Sequence, residues 1–154
     1  MLRHIGSIAG IVLISALSWW LYVAELKYIQ VTPLLNDDIE TWERLFMDGA
    51  LILCYVSAVF SLFWYALAQL GLKVVDWKSA GRRTWWVGLW LGVFAVTLAI
   101  GYFHLKDTVE AGYGWAVACY VINGVLCYYL STLLLSPVAF KYTPWGAMKV
   151  RRYW

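Results

Sequence analysis

The sequence predicts an all-α membrane protein: an antiparallel bundle of four transmembrane helices, with both termini cytoplasmic and a short interfacial helix in the first outer loop. Three observations predict it. Four stretches, 5–24, 49–72, 84–105 and 111–140, hold no Asp, Glu, Lys or Arg. Each supplies the ~20 mostly apolar residues that a helix rising about 1.5 Å per residue needs to cross a bilayer. The chain is 63% hydrophobic and 14% charged, where a soluble domain carries roughly a quarter charged residues. Finally, the basic residues are sorted strongly between the connections. Lipid also admits closed β-barrels, but their strands alternate in polarity over ~10 residues. Val-Leu-Ile-Ser-Ala-Leu at 12–17 and Leu-Ile-Leu-Cys at 51–54 do not alternate. With spans at about 5–27, 47–73, 84–105 and 114–136, the 154 residues form a single transmembrane domain followed by a basic aromatic tail, 137–154.

The first span follows Arg3 and His4, and Ala16-Leu17-Ser18 loosely resembles a signal-peptide cleavage site. The apolar run nevertheless continues through Trp19, Trp20, Leu21, Tyr22 and Val23. That exceeds the h-region of a signal peptide, so the segment is expected to be retained. Gly6 and Gly10 lie four apart, a spacing that lets two helix backbones approach closely. In the first outer loop, Pro33 interrupts the chain and Asn36 or Asp37 can cap a helix. Ile39, Trp42 and Phe46 then recur at helical spacing, with Asp38, Glu40 and Glu43 between them. That pattern predicts an interfacial helix leading into the second span, its acids forming a solvated outer surface.

The second span ends at a short basic turn, Asp76 to Arg83. The third repeats the small-residue spacing at Gly88 and Gly92, with Ala95 and Ala99 near the same face. Gly112-Tyr113-Gly114 helps make the next turn, and Pro137 ends the fourth helix. Short connections make sequential helices antiparallel neighbours.

Placing both termini and the 73–83 connection on one side assigns nine of the twelve basic residues to it, with one acid, Asp76. The opposite side holds Lys27, Arg44 and Lys106 with eight acids. Basic loops favour the cytoplasm, so the expected orientation is N-in and C-in. A bacterial inner membrane is the expected location, since the chain is compact and shows no eukaryotic sorting element. The eleven tryptophans reinforce the picture. Trp42, Trp77, Trp85, Trp86 and Trp115 fall at span boundaries, where indole rests at headgroup level. Trp64 and Trp90 lie deeper, as core filling or as contacts to lipid or another protein.

Chemistry is hard to find. No P-loop, Gly-rich nucleotide fingerprint or nucleophile–base pair is present. His4 and His104 belong to opposite ends, and Cys54, Cys119 and Cys127 form no Cys-x-x-Cys pair, so neither a metal site nor a cofactor is expected. Charged groups at mid-depth would mark a transport path, and the spans hold none there. Glu25, Asp48, His104 and Asp107 form the nearest approach to an outer polar site, His104 pairing with Asp107. Asn123, the costliest polar residue at depth, is expected to make an interhelical hydrogen bond.

These features point to a non-enzymatic structural or accessory subunit of a larger membrane complex, for secretion, envelope or biosynthetic assembly. Lys141, Trp145, Lys149, Arg151, Arg152 and Trp154 are the expected contacts of the tail to a partner protein or to lipid. The expected partners are the bilayer and an integral-membrane protein or further copies of the chain, not nucleic acid. A small oligomeric channel or transporter is one alternative, and a membrane immunity or regulatory factor that binds another membrane protein is a second.

Overall fold

The structure, a computed structural model, describes residues 2–27, 39–71, 79–105 and 113–135. Every regular element among them is helical: α1 (Leu2–Leu26), α2 (Ile39–Ala66), α3 (Ser79–Leu105) and α4 (Tyr113–Leu135). A π-helical turn, Leu67–Gly71, continues α2. Within these helices, His4–Leu26, Thr41–Gln69, Arg83–Leu105 and Gly114–Leu135 are each long and apolar enough to span a membrane. The tail, Asp107 and the loop segment 28–38 lie outside the described residues.

Contacts pair the start of one helix with the end of the next. His4 meets Tyr65 across α1 and α2, Leu45 meets His104 across α2 and α3, and Trp86 meets Thr132 across α3 and α4. In addition α4 packs on both α1 and α2, whereas α1 and α3 do not touch. The section is therefore a rhombus with α2 and α4 on its short diagonal. Burial follows this arrangement: 39% and 44% of the most apolar stretches of α2 and α4 are inside, against 22% for both α1 and α3.

Two glycines leave room where the helices crowd together. A Cβ on Gly124 would stand 2.6 Å from Thr97 Cγ2 and 3.7 Å from Ser57 Oγ. On Gly49 it would collide with the Tyr120 hydroxyl and lie 3.0 Å from His104 Cδ2. The glycines singled out from spacing divide evenly. Gly10 receives the Leu135 methyls and Gly92 the Phe60 ring, but Gly6 and Gly88 face open space. Each small-xxx-small pair is thus in contact at only one of its two glycines.

Two aromatic clusters close the bundle. At the end holding Glu25, Tyr22, Trp42, Phe46, Leu53, Leu105 and Tyr120 are buried together. Phe46 stacks on Tyr120 with centroids 5.0 Å apart and on Trp42 at 5.5 Å, while Tyr22 meets Tyr120 edge-on at 5.9 Å. Such pairs contribute about 0.5–1.5 kcal/mol each beyond area burial. At the other end Trp64, Ala68, Trp86, Val93 and Tyr128 form the second cluster, with Trp86 Nε1 donating to Thr132 Oγ1 at 3.0 Å.

The helix that begins at Ile39 runs directly into the second span, as the spacing predicts, and its Trp42 and Phe46 are buried in the bundle core. The apolar face that would have rested on lipid is covered by Tyr22 and Tyr120. Trp86, read as a boundary residue, is likewise buried, while Trp85 and Trp115 are exposed.

Replacing Gly124 with Val is expected to lower stability by about 1–3 kcal/mol through overpacking. Gly88→Ala, on an open helix surface, should be neutral or slightly stabilising. Thermal unfolding of the two variants in the same mild detergent distinguishes these outcomes.

Candidate functional site: a polar seam and a lateral groove

Between the two aromatic clusters the bundle interior is small and polar. Ser15, Ser18, Ser57, Ser61, Thr97, Asn123, Ser131 and Thr132 are all buried. Most of them fall on three stripes, read along the helices at intervals of three and four residues. On α1 the stripe is Ser15, Ser18, Tyr22 and Glu25; on α2 it is Cys54, Ser57, Ser61 and Tyr65; on α4 it is Cys119, Asn123, Cys127 and Ser131. These helices share mutual contacts, so the stripes meet in one seam.

The hydrogen bonds of the seam join different helices. Asn123 Nδ2 donates to Glu25 Oε2 at 2.6 Å. Ser57 Oγ donates to the Gly124 carbonyl at 3.3 Å, which is reachable because Gly124 has no side chain. Ser18 donates to the Ser15 carbonyl at 2.7 Å. Its single proton is thereby used, so the Cys54 thiol, 3.2 Å from Ser18 Oγ, is the donor in that pair. Cys127 Sγ donates to Ser15 Oγ at 3.7 Å. At the far end His4 Nδ1 and the Tyr65 hydroxyl share a hydrogen bond of 2.8 Å. Ser61 Oγ and Ser131 Oγ are buried with no hydrogen-bond partner among the described residues.

Of the four residues grouped as an outer polar site, Glu25, Asp48 and His104 are described. Glu25 turns inward to Asn123. His104 Nε2 donates to the Leu45 carbonyl at 3.0 Å, beside the space left by Gly49. The Tyr120 hydroxyl donates to the next carbonyl, Phe46, at 2.6 Å. His104 and Tyr120 therefore pin α3 and α4 to the same turn of α2, using the second lone pairs of carbonyls already in the helix ladder. Asp48 is exposed, and Asp107 lies outside the described residues. Among the described residues no three His, Cys, Asp or Glu side chains are placed to hold a metal ion.

A second feature lies on the outside. A groove of about 680 Å³ opens between α1 and α2, lined among others by Ser15, Trp19, Trp20, Cys54 and Tyr55. Trp20 and Tyr55 are 72% and 66% exposed, so its rim is aromatic. Its floor reaches Ser15 and Cys54, two members of the seam. Spacing alone does not reveal this groove. The signal that was available is the doubled aromatic Trp19-Trp20 inside the first span.

No known protein family, curated protein or solved structure matches the chain. The class rests on the helices themselves: four membrane-spanning candidates mark an integral membrane protein.

A double-mutant cycle of Glu25→Ala and Asn123→Ala, read by unfolding in detergent, is expected to give a coupling of about 0.6–2 kcal/mol, the range of interhelical hydrogen bonds in membranes. Additivity of the two losses would show that the contact contributes nothing.

Proposed function

We propose that this protein is a non-enzymatic accessory subunit of a larger membrane complex, with its N and C termini cytoplasmic in a bacterial inner membrane. The observation that carries the reading is the aromatic-rimmed groove between α1 and α2. A helix in lipid is not driven against another by burial from water, so association there depends on shape and packing. A preformed concave surface supplies the shape. Trp and Tyr supply large, rigid contact area at low entropic cost, which is why they dominate interface hot spots. The groove accordingly suits an apolar transmembrane helix of a partner protein, inserted alongside Trp19, Trp20 and Tyr55. The basic tail residues Lys141, Lys149, Arg151 and Arg152 would add contacts to that partner or to anionic headgroups, about 1 kcal/mol per basic residue near the surface.

The orientation rests on the placement of nine basic residues at the ends of the chain and in the 73–83 connection. A reporter fused after Trp154 should be active only when it is a cytoplasmic one.

A photoactivatable residue at position 20, expressed in native membranes, should crosslink to a protein larger than the chain itself. The same residue at Phe103, which is exposed on α3, should not. Trp20→Ala with Tyr55→Ala should abolish co-purification of that partner while leaving the unfolding temperature in detergent unchanged. Crosslinks only to lipid, or equal crosslinking from both positions, would exclude the groove as the docking face.

A further inference from the structure

The three thiols of the bundle are not equivalent. Cys54 and Cys127 are buried, and their thiols meet serine hydroxyls. Cys119 is half-buried and stands within hydrogen-bonding reach of the Glu25 carboxyl group. Asn123, one turn further along α4, lies on the same face as Cys119 and donates to Glu25 Oε2 at 2.6 Å. A carboxylate has lone pairs enough to take a second proton donor beside that amide. The last turn of α1 and the early turns of α4 thus bring together a nucleophile, a base and a side chain that fixes the base. A nucleophile and a base within hydrogen-bonding reach, the base oriented by a third group, is the arrangement that activates side chains for covalent chemistry.

The depth of this cluster narrows the substrate. Trp115, which is 74% exposed, lies one helical turn before Cys119. An indole near the end of a span rests at headgroup level, which places the thiol about 6 Å deeper. That is the boundary between headgroups and hydrocarbon, where the acyl carbonyls of membrane lipids lie. A thiol held there with a base meets one abundant class of electrophile: a carbonyl that carries a long apolar chain.

We propose that Cys119 is a site of S-acylation, at which Glu25 takes the thiol proton while the sulfur attacks the acyl carbonyl of a lipid ester or thioester. The S–H bond of Cys119 and the C–O or C–S bond of the donor break. A C–S bond to Cys119 forms, and Glu25 passes the proton to the leaving oxygen or sulfur. No electron is transferred and no further reactant is consumed. The groups facing the pair are Asn123 of α4 and Tyr22 of α1. The acyl chain stays on the protein, so the step is a modification and not a turnover, and it does not depend on the groove binding a partner.

The test uses the purified full-length protein in mixed micelles with an alkyne-tagged acyl donor, phosphatidylethanolamine in one arm and acyl-coenzyme A in the other. A transmembrane peptide with one cysteine at the same depth and no carboxylate sets the unassisted rate. Wild type should take up label, released by neutral hydroxylamine, faster than the peptide in at least one arm, and that arm identifies the donor as ester or thioester. Cys119→Ser should lose the label, while Cys54→Ser combined with Cys127→Ser should keep it. Glu25→Gln should slow transfer about 100-fold, the low end of general-base catalysis. Wild-type transfer should be level with pH once the carboxylate is ionised. Glu25→Gln and the peptide should instead gain about tenfold per pH unit, because their thiols must ionise unaided. Asn123→Ala should slow transfer yet leave the profile level, as a positioning residue would. Label on Cys54 or Cys127, a rate no faster than the peptide's in both arms, or a wild-type rate that climbs with pH as the peptide's does would overturn the proposal. The last two are read on wild type alone and need no variant to fold.

Discussion

The close approach of α2 and α4 is the constraint on which the rest of the structure depends. It requires small atoms where the two helices meet α3 and each other, and Gly49, Ser57 and Gly124 supply them. Once these helices occupy the short diagonal, α1 and α3 are held apart on opposite flanks. The same closeness exposes carbonyls of one helix to donors of another: Gly124 to Ser57, Phe46 to Tyr120 and Leu45 to His104. In lipid such polar contacts are among the few forces that specify one packing over another, because an apolar side chain is as well solvated by acyl chains as by a neighbouring helix.

The composition is uneven along the bundle axis, with the large rings collected toward its two ends. Tyr22, Trp42, Phe46 and Tyr120 fill one end and Trp64, Trp86 and Tyr128 the other. Ser, Cys and Asn occupy the waist between them. The waist is polar because small residues that pack closely in lipid are often hydroxylic, and those hydroxyls in turn need partners.

Much of the helical layout was legible in the sequence, since charges mark where a helix leaves the apolar region. The described helices begin and end within a few residues of the charge-free runs, except for α2. There the acids around Trp42 suggested a surface position, yet Glu43 is exposed while Trp42 and Phe46 turn inward. Periodicity identifies the face of a helix but not what covers it. The same limit explains the glycines. Gly10 and Gly92 are contact points and Gly6 and Gly88 are not, though all four share one spacing. It also explains Glu25. Its position at the end of an apolar run placed it beside Asp48 and His104, whereas its partner, Asn123, is 98 residues away. Asn123 stood out by its cost in hydrocarbon, but nothing local to either residue names the other.

The pairing of the first helix with the last has a consequence for how the chain is made. When α1 leaves the ribosome, Ser15 and Glu25 have no α4 to face. Synthesis at about 5–20 residues per second means that α4 begins to appear roughly 5–20 seconds later. During that interval a carboxyl and a hydroxyl lie at the edge of an unfinished bundle. Their temporary host must be water at the membrane surface, the insertion machinery or the flank of α2. A chain truncated before Tyr113 would leave the membrane with three apolar helices and an acid that has lost its amide.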